Sequence, residues 1–270
     1  MTNDSLYYEQ TGSDTHPPML LLHGFMGSSQ DWAEARKRLS KKYFCISIDL
    51  PGHGKSHDWE WDSCTFASTA NAIVTFLDKL NIPRCSLVGY SMGGRLALYL
   101  AIYFPGRFSH VVIESASPGI VDTVERLQRK SWDLEIANQL LSQKFDHFLY
   151  AWYNQSIFYS LKEHPKFEQL LQQRQQNDPL QLAKAIQCLG SGEQEPLWDK
   201  LERLTMPVLF LAGEFDEKYR RIAENMNGRA PRLTSKVMRG CGHNIHFENP
   251  ARYCKVVLEF LHAFKDNKRE

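Results

Sequence analysis

The sequence predicts an α/β protein, built on a mostly parallel sheet with helices on both faces, and three observations point there. Short apolar runs alternate with amphipathic stretches over the first 119 residues and again from Met206, the pattern of parallel strands joined by crossover helices. Between them, from Val121 to about Asp199, the alternation stops and only helical periodicity rich in Gln, Leu and Arg remains. A length of 270 residues with 43% hydrophobic content suits one large core carrying an insertion.

Taken in order, the buried runs predict strands over Met19–Leu22, Phe44–Asp49, Cys85–Val88, His110–Glu114, Val208–Ala212 and Ser235–Met238. Helical spacing predicts helices over Gln30–Ser40, Phe66–Leu80, Met92–Tyr103, Tyr219–Met226 and Pro250–Lys265. The Pro118-Gly119 pair marks the break. The expected organisation is therefore a core over residues 1–119 and 200–270, interrupted by a helical lid over 120–199. Insertions over the C-terminal ends of parallel strands cover the site formed there.

Composition narrows the function classes. Charged residues are 23% of the chain, the net charge is +1, and like charges cluster only in short runs such as Arg36-Lys37-Arg38, so no nucleic-acid footprint is expected. The segment Met1–Gly12 is polar, without the apolar stretch of a signal peptide. No run approaches the ~18 apolar residues of a membrane helix. Cys45, Cys64, Cys85, Cys188, Cys241 and Cys254 lack paired spacing, and all six are expected as reduced thiols of a cytoplasmic protein.

The chemistry concentrates at Val88-Gly89-Tyr90-Ser91-Met92-Gly93-Gly94-Arg95. An apolar run enters a Gly-x-Ser-x-Gly pentapeptide and a helix-forming run leaves it, the strand–turn–helix context of a nucleophilic serine. A serine hydroxyl needs a base within hydrogen-bond reach. His243, in the flexible Gly240-Cys241-Gly242-His243-Asn244 segment, follows a strand and precedes the last helix. His23 and His53 are its rivals, each in a glycine-containing turn. The orienting acid is expected at Asp216, just after the strand ending at Gly213, with Glu214 as competitor. Asp49, at an earlier strand end, is expected to tie down the Pro51-Gly52-His53-Gly54 loop instead. The Met92 N–H and the Phe25 N–H of His23-Gly24-Phe25-Met26-Gly27 are candidate oxyanion donors. The chain order Ser91, Asp216, His243 is that of the α/β-hydrolase fold, which by itself fixes no reaction.

Arg95 lies four positions after Ser91, on the same face of the predicted helix. A guanidinium there needs a partner: either a protein carboxylate such as Glu114, or an anionic substrate whose carboxylate its fork can grip. Arg126, Arg129, Lys130 and Arg174 add cations in the insertion.

These residues sit in a specific context. Leu-His-Gly-Phe-Met-Gly, Asp-Leu-Pro-Gly-His-Gly-Lys-Ser, Gly-Tyr-Ser-Met-Gly-Gly-Arg-Leu-Ala-Leu and Glu114 through Gly119 resemble the MenH family. So do Trp152-Tyr153, Gly-Glu-Phe-Asp-Glu-Lys-Tyr and Gly-His-Asn-Ile-His-Phe-Glu-Asn-Pro. Ala151 departs from the acid common in the family, so only Trp152 and Tyr153 carry that part of the match. The resemblance implies a lyase of menaquinone or phylloquinone biosynthesis, 2-succinyl-6-hydroxy-2,4-cyclohexadiene-1-carboxylate synthase. Its substrate, a cyclohexene with enolpyruvyl, succinyl and ring carboxylates, loses pyruvate without hydrolysis and without a cofactor. It also implies substrate contacts from Tyr90, Arg95, Arg129, Trp152 and Arg174, with Arg126 the residue most easily confused with Arg129. The alternatives are a serine esterase or C–C bond hydrolase acting on a small carboxylated substrate, and a non-catalytic receptor that retains the pocket.

Overall fold

Seven strands form one sheet in the order β1-β3-β2-β4-β5-β6-β7. They are β1 (Tyr8–Thr11), β2 (Pro18–Leu22), β3 (Phe44–Ile48), β4 (Cys85–Tyr90), β5 (Phe108–Glu114), β6 (Val208–Gly213) and β7 (Leu233–Met238). The computed structural model describes residues 6–57 and 59–264. The first five residues of the polar N-terminal segment and Lys265, the expected end of the last helix, lie outside them. All strand pairs are parallel except β1 with β3. The strand β1 escaped the sequence reading because Tyr-Glu-Gln-Thr has no apolar run and pairs on one side only, leaving it partly exposed.

The helices are α1 (Ala33–Leu39), α2 (Phe66–Lys79), α3 (Met92–Tyr103), α4 (Thr123–Ser142), α5 (Phe145–Tyr153) and α6 (Tyr159–Lys162). They continue with α7 (Phe167–Arg174), α8 (Pro179–Leu189), α9 (Glu217–Met226), α10 (Ile245–Glu248) and α11 (Pro250–Ala263). Because β2 and β4 are buried on both sides, their residues alternate between two layers. Leu20, Leu22 and Leu87 pack with α2 and α3, whereas Met19, Leu21 and Val88 pack with α1 and α11. Among the described residues, those between β5 and β6 form only helices and turns. These helices have their own apolar core, including Ile136, Leu149, Leu170 and Ile186, and it meets the sheet end through Met26 and Phe25. No helix among the described residues is long and apolar enough to cross a membrane.

The strand order reverses beside β2, which lies between β3 and β4. At such a switch point the loops leaving adjacent strands diverge and open a crevice at the C-terminal sheet edge. The turn after β2 carries His23 to Gly27, and the turn after β4 carries Ser91.

Candidate active site

Ser91 is held in a strained backbone. Its φ of 49° lies in the left-handed region that non-glycine residues avoid. The turn is tight enough that a Cβ at Gly89 would run into the Gly93 carbonyl, and one at Gly93 into the Leu22 carbonyl. Two hydrogen bonds lock it: Ser91 N–H donates to the Glu114 carbonyl (2.9 Å) and Gly93 N–H to the His23 carbonyl (3.0 Å). The side chain is thereby lifted above the sheet edge.

His243 approaches from the loop before α10, with Nε2 3.2 Å from Ser91 Oγ. Its Nδ1 is 2.7 Å from Asp216 Oδ2, which leaves Nε2 as the nitrogen facing the serine when Nδ1 donates. The Asp216 position is fixed in turn, because its other oxygen caps α9 by accepting from Tyr219 N–H (3.4 Å). Glu214, the rival acid, accepts from Gly240 N–H and lies on the exposed side. The loop bearing His243 is clamped by Glu248, which accepts from Gly242 N–H (2.8 Å) and Asn244 N–H (3.1 Å). Aromatic rings enclose the imidazole: Tyr219 at 4.9 Å, Tyr90 at 5.4 Å and Phe158 at 5.9 Å.

The rival histidines are structural. His23 Nε2 accepts from Leu50 N–H (2.9 Å), so Nδ1 donates to the Gly24 carbonyl (2.7 Å) and braces the turn that carries Phe25. Burial pushes His23 down to about 4 and His53 down to about 3, so both are neutral near pH 7. Asp49 ties its loop as expected, accepting from Ser29 N–H (2.6 Å) and Lys55 N–H (2.7 Å). The Phe25 and Met92 N–H groups make no hydrogen bond to an acceptor among the described residues. Met92 opens α3, where the first N–H groups have no partner within the helix.

Arg95 is 8% exposed, and its Nη1 is buried without a hydrogen-bond partner among the described residues. Glu114, the protein carboxylate considered for it, is occupied elsewhere: both its oxygens face His246 Nδ1, at 2.9 and 3.0 Å. Arg95 rests on the Phe66 ring at 5.5 Å instead. Burial, then the nearby charge of Arg129, pushes its guanidinium down to about 10, still cationic at neutral pH. Arg129 uses Nε to hold Asp133 (2.8 Å), which leaves the outer edge of its guanidinium available. Sequence reasoning passed over Lys218. Its side chain is exposed on the first turn of α9, but reduced hydration of its head group, then Arg129, lowers it, and Arg95 acts in the same direction, so a third cation stands at the rim of the group.

Two expectations need correction. Arg174 does not stand free in the pocket. Its Nη1 and Nη2 grip Asp31 at 2.7 Å each, and Nε donates to Tyr153 Oη (3.0 Å), with both charged side chains 3% exposed. Burial alone would raise Asp31, yet Arg174's charge and hydrogen bonds hold it below the usual carboxylate value. Nor are all six cysteines reduced: Cys64 and Cys188 form a disulfide, while Cys45, Cys85, Cys241 and Cys254 are buried free thiols. Neither pairing has a sequence signal, since the partners are distant in the chain. Trp152 lies over the Phe25 ring at 5.4 Å. Tyr90, 6% exposed, forms the wall between His243 and His246.

A strained serine at a switch point, backed by His243 and Asp216, places the molecule in the α/β-hydrolase superfamily. The family model for the alpha/beta hydrolase fold matches residues 17–250. The structure of MenH from S. aureus superimposes with a TM-score of 0.90 at 33% identity, covering 95% of this chain and 98% of that one. The 2-succinyl-6-hydroxy-2,4-cyclohexadiene-1-carboxylate synthase of Yersinia pestis bv. Antiqua (strain Nepal516) is 32% identical across 91% of this chain and 87% of its own. The Arabidopsis thaliana protein PHYLLO, chloroplastic, is 32% identical across 93% of this chain, which spans 16% of that longer protein. The chain belongs to the MenH family.

Proposed function

We propose that this protein is a 2-succinyl-6-hydroxy-2,4-cyclohexadiene-1-carboxylate synthase of menaquinone or phylloquinone biosynthesis, a lyase that eliminates pyruvate from 2-succinyl-5-enolpyruvyl-6-hydroxy-3-cyclohexene-1-carboxylate. Family membership supports the activity. The observation that carries the substrate class is Arg95, a buried cation with an unpaired Nη1 beside the serine. A neutral ester gives such a group no counter-charge, whereas a carboxylate matches its fork.

In this mechanism His243, oriented by Asp216, takes the Ser91 hydroxyl proton, and the serine oxygen removes the ring proton α to the succinyl ketone. Electron density moves onto the ketone oxygen, where the Phe25 and Met92 N–H groups stabilise the enolate. Its collapse shifts the ring double bond and expels enolpyruvate, which takes up the proton left on His243 and becomes pyruvate, while the second ring double bond forms. Arg95 and Arg129 hold substrate carboxylates and fix the reacting proton near Ser91. Arg129 is preferred over Arg126 because its charge acts on both Arg95 and Lys218. Trp152 and Tyr90 form apolar walls. Arg174, occupied by Asp31, serves as the tie that seats the helical lid on the core.

Pyruvate release from the enolpyruvyl substrate, coupled to lactate dehydrogenase and compared with the enzyme-free rate, tests this reading. Enzymatic release far above the spontaneous elimination supports it. A rate no better than background, with rapid turnover of activated esters, would replace it with an esterase.

A further inference from the structure

The disulfide joins the two halves of the molecule at a telling place. Cys64 precedes α2 in the core, and Cys188 is the penultimate residue of α8 in the helical insertion, 124 positions away. From Cys64 the chain runs through Thr65, whose side chain caps α2, into Phe66, the ring on which the Arg95 guanidinium rests. From Cys188 it runs through Leu189 and Gly190 to Gly192, whose N–H donates to Asp133 Oδ2 (2.9 Å). The other oxygen of Asp133 holds Arg129 Nε. Gly190 is packed so closely on Asp133 that a Cβ there would overlap the carboxylate. The cross-link therefore stands between the seat of Arg95 and the seat of Arg129. A side-chain hydrogen bond, Trp61 Nε1 to Gln181 Oε1 (3.1 Å), reinforces the same seam.

We infer that Cys64 and Cys188 are positioning residues, and that their disulfide sets the spacing of Arg95 and Arg129 for a multiply carboxylated substrate. This rests on the carboxylate-binding role proposed above for the two arginines. The bond reaches Arg95 through the Phe66 ring under its guanidinium and not through the backbone of α3, which Arg95 shares with Ser91, so its opening acts on binding more than on the chemical step. The reductant is a dithiol. One of its thiolates attacks the half-buried Cys64 sulfur, the Cys188 thiolate leaves and takes up a proton, and the second dithiol sulfur then displaces Cys64. The protein gains two thiols and the reductant becomes a cyclic disulfide.

Two measurements on the full chain test this. After equilibration with oxidised dithiothreitol, the protein is unfolded in maleimide and weighed. Four adducts, from Cys45, Cys85, Cys241 and Cys254, are expected, and six would overturn the proposal. Reduction should then raise KM about tenfold or more, since misplacement of a binding group by about 1 Å can cost up to ~10²-fold, with kcat changed less than about twofold. Reoxidation should restore it. The Cys64→Ser/Cys188→Ser variant should show the high KM whether or not reductant is present. Affinity for tricarballylate, a tricarboxylate probe, should fall in parallel in a calorimetric titration that needs no turnover. Equal KM and equal probe affinity in both redox forms, or no probe binding in either, overturn the positioning role. Absence of pyruvate release from either form bears instead on the proposed activity.

Discussion

Replacing Arg95 with methionine should make the protein more stable and less active, and the two effects can be sized separately. Burial, followed by Arg129, pushes the guanidinium down from its ordinary value to about 10. At about 1.4 kcal/mol for each tenfold loss of proton affinity, folding with this group charged costs on the order of 3 kcal/mol. Because the folded value lies below the unfolded one, the penalty is fully present at neutral pH and fades only as pH rises towards 12. Methionine fills much of the same volume, keeps contact with Phe66 and carries no charge. Urea unfolding of Arg95→Met should therefore show a gain of up to about 3 kcal/mol. The same change removes the charge-assisted contact proposed for a substrate carboxylate, an expected loss of about 2–5 kcal/mol in kcat/KM, or about 30-fold to about 5,000-fold. Pyruvate release measures that loss. A variant that is destabilised while keeping its KM would refute the reasoning and make Arg95 a structural group.

Arg174→Ala should behave in the opposite sense for stability. It leaves Asp31 buried and unpaired, and unfolding should cost about 3–5 kcal/mol less, whereas Asp31→Leu/Arg174→Met should recover most of that loss. A single variant as stable as wild type would remove the tie from the account. Stability should also fall on acidification. His23 and His53 have folded values of about 4 and about 3 against 6.5 unfolded, so the unfolded chain takes up their protons first. Between pH 8 and pH 5 the two together should remove about 4 kcal/mol. Denaturant titrations at pH 8, 6.5 and 5 check this, and a flat profile contradicts it. Glu248→Ala frees the Gly242 and Asn244 N–H groups and loosens the loop of His243. It should lower kcat by about tenfold or more while leaving KM nearly unchanged. An equal rise in KM would place the damage in the binding pocket instead.

Residues whose positions follow from local chemistry were the legible ones. Ser91 stands in a turn that Gly89 and Gly93 make room for, and Asp216 and His243 each follow a strand, so pattern and spacing were enough to expect the three side chains side by side, as they lie. The alternation of apolar runs revealed the six parallel strands for the same reason. What escaped depends on contacts between distant parts of the chain. The partner of Arg174 is Asp31, 143 positions earlier. Glu114 is taken by His246, 132 positions later, which is why the sequence left the Arg95 partner open. Cys64 and Cys188 have no motif, only a fold that brings their Cα atoms to 5.7 Å. The Glu248 clamp lies in the Gly-His-Asn-Ile-His-Phe-Glu-Asn-Pro segment that carried part of the family resemblance, which did not reveal its purpose.

The central claim is that the Ser91 oxygen carries the proton, and Ser91→Ala tests it most directly. Single-turnover pyruvate release should fall by several orders of magnitude relative to wild type, with the affinity for tricarballylate unchanged because Arg95 and Arg129 remain in place. Release at a near-normal rate from Ser91→Ala would take the serine out of the reaction and contradict the account.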